Sequence, residues 1–135
     1  MKRLPRSDQA LVIRTDFSDD AAWNTVVAAI QQPVEGFFAY VDFVDDAAFS
    51  GLTVEQLVAL RDDLSKSYAI VADAVTMSGV EHPLLIVDLI EELGRTFRAV
   101  PSAIQSIENN LSIANMDFWE FADNVDADGV FRAFE

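Results

Sequence analysis

Four aspartates fall at or near the ends of apolar, β-branched runs that read as strands: Asp16 after "ALVIRT", Asp42 in "FFAYVDFV", Asp73 closing "YAIVAD" and Asp88 in "LLIVDL". If those strands run parallel, their carboxyl ends share one sheet edge, which is where α/β sheets hold ligands. Carboxylates gathered there can hold Mg²⁺ for phosphoryl chemistry. The usual accompaniments are missing. No glycine-rich phosphate loop occurs, and Lys stands only at positions 2 and 66. Arg14, Arg95, Arg98 and Arg132 are the other basic residues near strands, and two of them can simply pair with the aspartates. Asp is also common where a strand gives way to a turn or a helix cap. A Mg²⁺-dependent enzyme built on these residues is therefore the alternative reading, not the leading one.

The closing stretch "NVDADGVFRAFE" has a second chemistry to offer. Counted as a calcium loop, it puts Asn124, Asp126, Asp128 and Glu135 at the oxygen-ligand positions, Gly129 at the sharp turn and Phe131 at the apolar position. Asn replaces the charged first ligand, Glu135 is the last residue of the sequence with no exiting helix, and there is no second loop to pair with. Asp–Gly is a turn signal and "VFRAF" alternates as a strand does. The stretch is expected to be a turn between a helix and a last strand, and no metal is expected there.

Other catalytic arrangements fail sooner. His82 is the one histidine and precedes Pro83, so a Ser-His-Asp set would depend on a loop residue, and no serine has nucleophile-elbow glycines. Five scattered glycines make no dinucleotide fingerprint. Cysteine is absent, which excludes disulfides, thiolate nucleophiles and cysteine-ligated metals. No catalytic residue and no cofactor is expected.

The elements that would position these residues alternate clearly. Strands are expected at 10–15, 37–44, 68–73, 84–89, 96–100 and 130–134. A helix is expected to follow Ser18 as its N-cap. A second begins at "LTVEQL", where Thr53 and Gln56 make a capping box and Leu52 can staple to Leu57. A loop with Gly79 and Pro83 separates the third and fourth strands, and a turn at Gly94 makes strands four and five a hairpin. From Pro101 to about Asp123, Ile104, Ile107, Leu111, Ala114, Phe118 and Phe121 form one helical stripe. The weak helix formers Asn109, Asn110 and Asn115 leave two shorter helices open. The fold expected is α/β (α+β is also compatible), a single domain over 10–135 after a short basic tail at 1–9. Its mixed sheet has about six strands in the order β-α-β-α-β-β-β-α-β, with helices packed on it.

The chain has 135 residues, is 51% hydrophobic and carries a formal net charge of −14. That length and composition suit one globular core. No apolar run reaches the roughly 18 residues of a membrane span, and "MKRLPRSDQ" lacks the apolar stretch of a signal peptide. A cytoplasmic protein is expected. Binding to a nucleic-acid backbone needs clustered Lys and Arg, so direct nucleic-acid binding is not expected. The acidity fits solubility or a basic protein partner. In "NMDFWEFADN", Trp119 points off the inner stripe beside Glu120 and Asp123, and "VDFVDDAAF" mixes aromatics with Asp45 and Asp46. These five are the candidate partner-binding residues.

Taken together, "LVIRTDFSDDAAW", "VDLIEELGRTFRAVP" and "NNLSIANMDFWEFADNVDADGVFRAF" resemble an uncharacterised bacterial domain-of-unknown-function family frequent in actinomycetes. The resemblance runs from about Leu11 to Phe134 and implies that "DADGVFRAF" is a turn and strand of the fold. It implies no activity, cofactor or catalytic residue. The function expected from the sequence is a non-catalytic acidic protein-interaction module, of the immunity or antitoxin kind.

Overall fold

A computed structural model describes residues 3–62 and 66–134. Six strands form one mixed sheet in the spatial order β2-β1-β3-β4-β5-β6. They are β1 (Ala10–Arg14), β2 (Val41–Val44), β3 (Tyr68–Ala72), β4 (Leu84–Asp88), β5 (Thr96–Ala99) and β6 (Val130–Phe131). β1 lies parallel to both β2 and β3, whereas β4 is antiparallel to β3 and β5, and β6 is parallel to β5. β4 alone therefore runs against the other five. The expected β4–β5 hairpin is present.

Every residue of β3 is buried because both faces of the sheet are covered. On one face Val12, Ile70, Ile86 and Phe97 pack under α1 (Asp20–Gln31), α3 (Ala74–Ser78), α4 (Ile104–Leu111) and α5 (Phe118–Ala122). On the other, Ile13, Val71 and Val87 pack with Phe49 and with Leu57 of α2 (Val54–Leu60). The chain leaves β1 for β2 through α1 on the first face and reaches β3 through α2 on the second. The strand order thus reverses between β1 and β3, as in doubly wound sheets. Thr53 and Gln56 make the expected capping box, with bonds of 3.2 and 3.0 Å.

Two local expectations are corrected, and the open choice between one helix and two after Pro101 is decided. Asp19, not Ser18, caps α1, its carboxylate accepting from the Ala22 amide at 2.9 Å; Ser18 instead donates its amide to Asp16 Oδ1 at 3.0 Å. The loop between β3 and β4 contains α3, which begins because Asp73 and Thr76 form a second capping box. The region after Pro101 divides into α4 and α5. Asn110 bonds back to Ser106 O and Asn115 bonds Asn110, so side-chain amides compete with helical backbone bonds between the two. Ala114 there takes φ 54°, and it is exposed instead of lying on the stripe. β2 and β6 are also shorter than their apolar runs. Among the described residues, no helix is long and apolar enough to cross a membrane.

Candidate functional site

The sheet register decides where the four aspartates go. The ends of β1, β2, β3, β5 and β6 and the start of β4 share one edge. Asp16 and Asp73 follow β1 and β3 onto that edge. Asp88 closes the reversed strand β4 opposite Tyr68, the first residue of β3, so it lies at the other edge. Asp42 is the second residue of β2, opposite Leu11, and accepts a hydrogen bond from the Ser7 hydroxyl. The four do not converge. Among the described residues no three His, Asp or Glu side chains are gathered so as to hold a metal ion.

Each of these carboxylates also has structural work. Asp88 is 2% exposed and accepts the amides of Ile90, Glu91 and Glu92 at 3.0, 3.3 and 3.1 Å, closing the turn into β5. Asp73 caps α3 and takes both arms of the Arg98 guanidinium at 2.9 and 2.8 Å. Burial works against its charge, but the bonds from Arg98 and Thr76 outweigh it and hold the carboxyl below the usual carboxylate range.

Two further arginines line the same edge. Arg14, with its side chain 4% exposed, ends β1 beneath Phe17 and Trp23, their ring centres 4.4 and 5.5 Å from its guanidinium carbon. It donates to Asp20 at 2.7 Å, Asp45 at 3.3 Å and the Asp16 carbonyl at 2.9 Å. Arg132, just past β6, bonds Asp126 at 2.7 Å, Asp128 at 2.8 Å and Glu81 at 2.7 Å. Asp126 and Asp128 of the calcium-loop pattern therefore hold a guanidinium. Gly129 at φ 81° closes a turn through Gly129 N–H to Asp126 O and Asp126 N–H to Val130 O, both 2.9 Å. Asn124 donates its side-chain amide to the Glu120 carbonyl at 2.7 Å. Glu135 lies outside the described residues. The stretch is a turn into a short strand, as its Asp–Gly signal implies.

The five candidate partner-binding residues separate into two places. Asp45 and Asp46 follow β2 at one end of the sheet, Asp45 paired with Arg14 and Asp46 accepting the Ala48 amide at 2.9 Å. Trp119, Glu120 and Asp123 sit on or just after α5, whose Phe118 and Phe121 pack on Phe97 toward the other end. Glu120 completes the α5 capping box and Asp123 pairs with Arg95. Trp119 does point off the buried stripe and is 48% exposed.

A different surface was hidden in the sequence. Val34 and Phe37 exchange two backbone bonds around Glu35 and Gly36, at φ 53° and 84°, the positive-φ pair that a type I′ turn requires. Beyond it Phe37, Phe38 and Tyr40 are 61%, 48% and 60% exposed. Glu108 of α4, itself 5% exposed, accepts the Tyr40 amide at 2.7 Å, and Asn109 donates to the Phe38 carbonyl at 3.0 Å. These bonds tie the segment to α4 just before β2. Counting "FFAYVDFV" as one strand obscured the exposure of its first half. A usable signal was charge: from Thr15 to Leu60 there are eight acidic residues and no Lys or Arg.

A family model described as Domain of unknown function (DUF6924) matches residues 9–134. The chain belongs to DUF6924. The match spans the whole sheet of this DUF6924 domain, including the closing turn and β6, in keeping with the segments that carry the resemblance. Among curated proteins, none matches the chain.

Proposed function

We propose that this DUF6924 protein is a non-catalytic, acidic protein-interaction module that engages a basic protein, in the manner of an immunity protein or antitoxin. The observation that carries the reading is the exposed trio Phe37, Phe38 and Tyr40, set in a 46-residue stretch, Thr15 to Leu60, without a basic side chain. Isolated exposed apolar residues need no explanation, but neighbouring aromatic rings bordered by one sign of charge are what a polar-rimmed protein interface offers. Phosphoryl chemistry on a bound Mg²⁺ would call for carboxylates brought together, whereas Asp16, Asp42, Asp73 and Asp88 are distributed over both edges and committed to local bonds.

The test is affinity capture from an extract of the source cells on the immobilised protein, with the Phe37→Ala/Phe38→Ala/Tyr40→Ala variant alongside. All three positions are exposed, so the variant should fold. The reading expects a basic protein retained by the wild type, lost by the variant and released as salt screens the contact. Retention of the same proteins by both forms would refute it.

A further inference from the structure

β2 is an outermost strand of the sheet, bonded to β1 on one side only. Among the described residues, no backbone group bonds its outer side. Such an edge is a template for another strand, and proteins commonly blunt it with charge or shortness. β2 has both, being four residues long with an exposed Asp42. Protection against aggregation alone, however, does not account for three exposed aromatic rings leading into the same edge. Nor does it account for the buried Glu108, which ties the Tyr40 amide to α4 at the entry to β2.

We infer that a basic, extended segment of the partner adds as a strand to the free side of β2, its Lys or Arg side chains facing Glu35 and Asp42 and its apolar side chains covering Phe37, Phe38 and Tyr40. This rests on the reading of the protein as a binder of a basic partner and specifies how the contact is made. Backbone bonds supply affinity in strand addition, and alternate side chains supply selectivity. Charge decides the occupant. A second copy offering its own β2 would bring Asp42 and Glu35 against the same acids, and like charges opposed across strands destabilise the pair. A cationic strand meets complementary charge at Glu35 and Asp42.

The probe is a short peptide alternating Lys with Val, Ile and Tyr, titrated calorimetrically into the intact protein. Two controls accompany it: a Glu-for-Lys peptide, and a Lys peptide N-methylated at alternate residues. N-methylation removes strand hydrogen bonds from one edge while keeping the charge. Strand addition expects binding of the Lys peptide, none of the Glu peptide, and about tenfold weaker binding after N-methylation. It also expects a comparable loss in the Phe37→Ala/Phe38→Ala/Tyr40→Ala variant and no change in Trp119→Ala. Equal binding of the methylated and unmethylated Lys peptides, or a loss in Trp119→Ala, would overturn strand addition at β2 while leaving a basic partner in place. Failure of the Lys peptide to bind at all would overturn both proposals. Sedimentation showing a dimer that Asp42→Lys abolishes would assign the edge to a second copy and overturn the inference.

Discussion

Arg132 shows how one side chain can redirect a motif. Asp126 and Asp128 have calcium-loop spacing, yet the guanidinium of Arg132, six and four residues further on, engages both and draws in Glu81 as well. An ion that binds only the folded state must raise the melting temperature by mass action. With its acids held by Arg132, the protein should melt at the same temperature in Ca²⁺ and Mg²⁺ at fixed ionic strength. A Ca²⁺-specific rise in a melting curve would contradict that. Asp73 makes the second prediction at this scale. Its folded-state pKa lies below the 3.8 of a free carboxyl, so the unfolded chain binds its proton first as pH falls. The stability it adds is complete above about pH 4 and is lost as pH drops through the folded-state value. Asp73→Asn should cost about 1–2 kcal/mol at neutral pH and flatten that acid limb in denaturant titrations taken pH by pH. An unchanged acid limb would show that other carboxylates govern it.

Among the elements, the interval from α4 to β2 ties core to surface. Glu108 faces inward on α4 yet reaches the backbone of the segment that enters the edge strand. Glu108→Ala removes the acceptor of a part-buried amide and should destabilise the protein by about 2 kcal/mol. Amide exchange at Tyr40 should quicken beyond this global loss, whereas a uniform change across the sheet would mean that Glu108 serves the core alone. The elements themselves were largely legible. Runs such as "YAIVA" and "LLIVD" are too apolar to lie anywhere but inside a sheet, and Thr53–Gln56 marks a helix start by chemistry alone. Other features escaped because their causes are tertiary or compete with the local pattern. The five residues of α3 depend on the Asp73 cap. The stripe from Ile104 to Phe121 favours one helix while Asn109, Asn110 and Asn115 leave two open, and the side-chain bonds of Asn110 and Asn115 accompany the break. The site was less legible still. A strand-end aspartate looks the same whether its strand runs with the sheet or against it, and the reversal of β4 is what sends Asp88 away from Asp16 and Asp73. Aromatic Phe37 and Phe38 likewise read as the start of a strand, but they follow a turn at Glu35–Gly36 and are exposed.

For the molecule as a whole, the acidity is unevenly distributed. The β1-to-α2 half, which ends in the free edge of β2, carries no Lys or Arg between Arg14 and Arg61. Arg14, Arg98 and Arg132 are spaced along the edge where most strands end, each bonded to carboxylates of the fold. Arg14 pairs with two acids of that half, Asp20 and Asp45, and the exposed trio Phe37, Phe38 and Tyr40 lies within it. The most direct measurement is residue-level hydrogen exchange of the intact protein with and without the Lys-containing strand peptide. Slowed exchange confined to those amides of Val41–Val44 that do not face β1 is the expected result, because a new strand would protect the outward amides of β2. Protection centred on α5 around Trp119, or none in β2 while the peptide is bound, would contradict an interaction module that works through this edge.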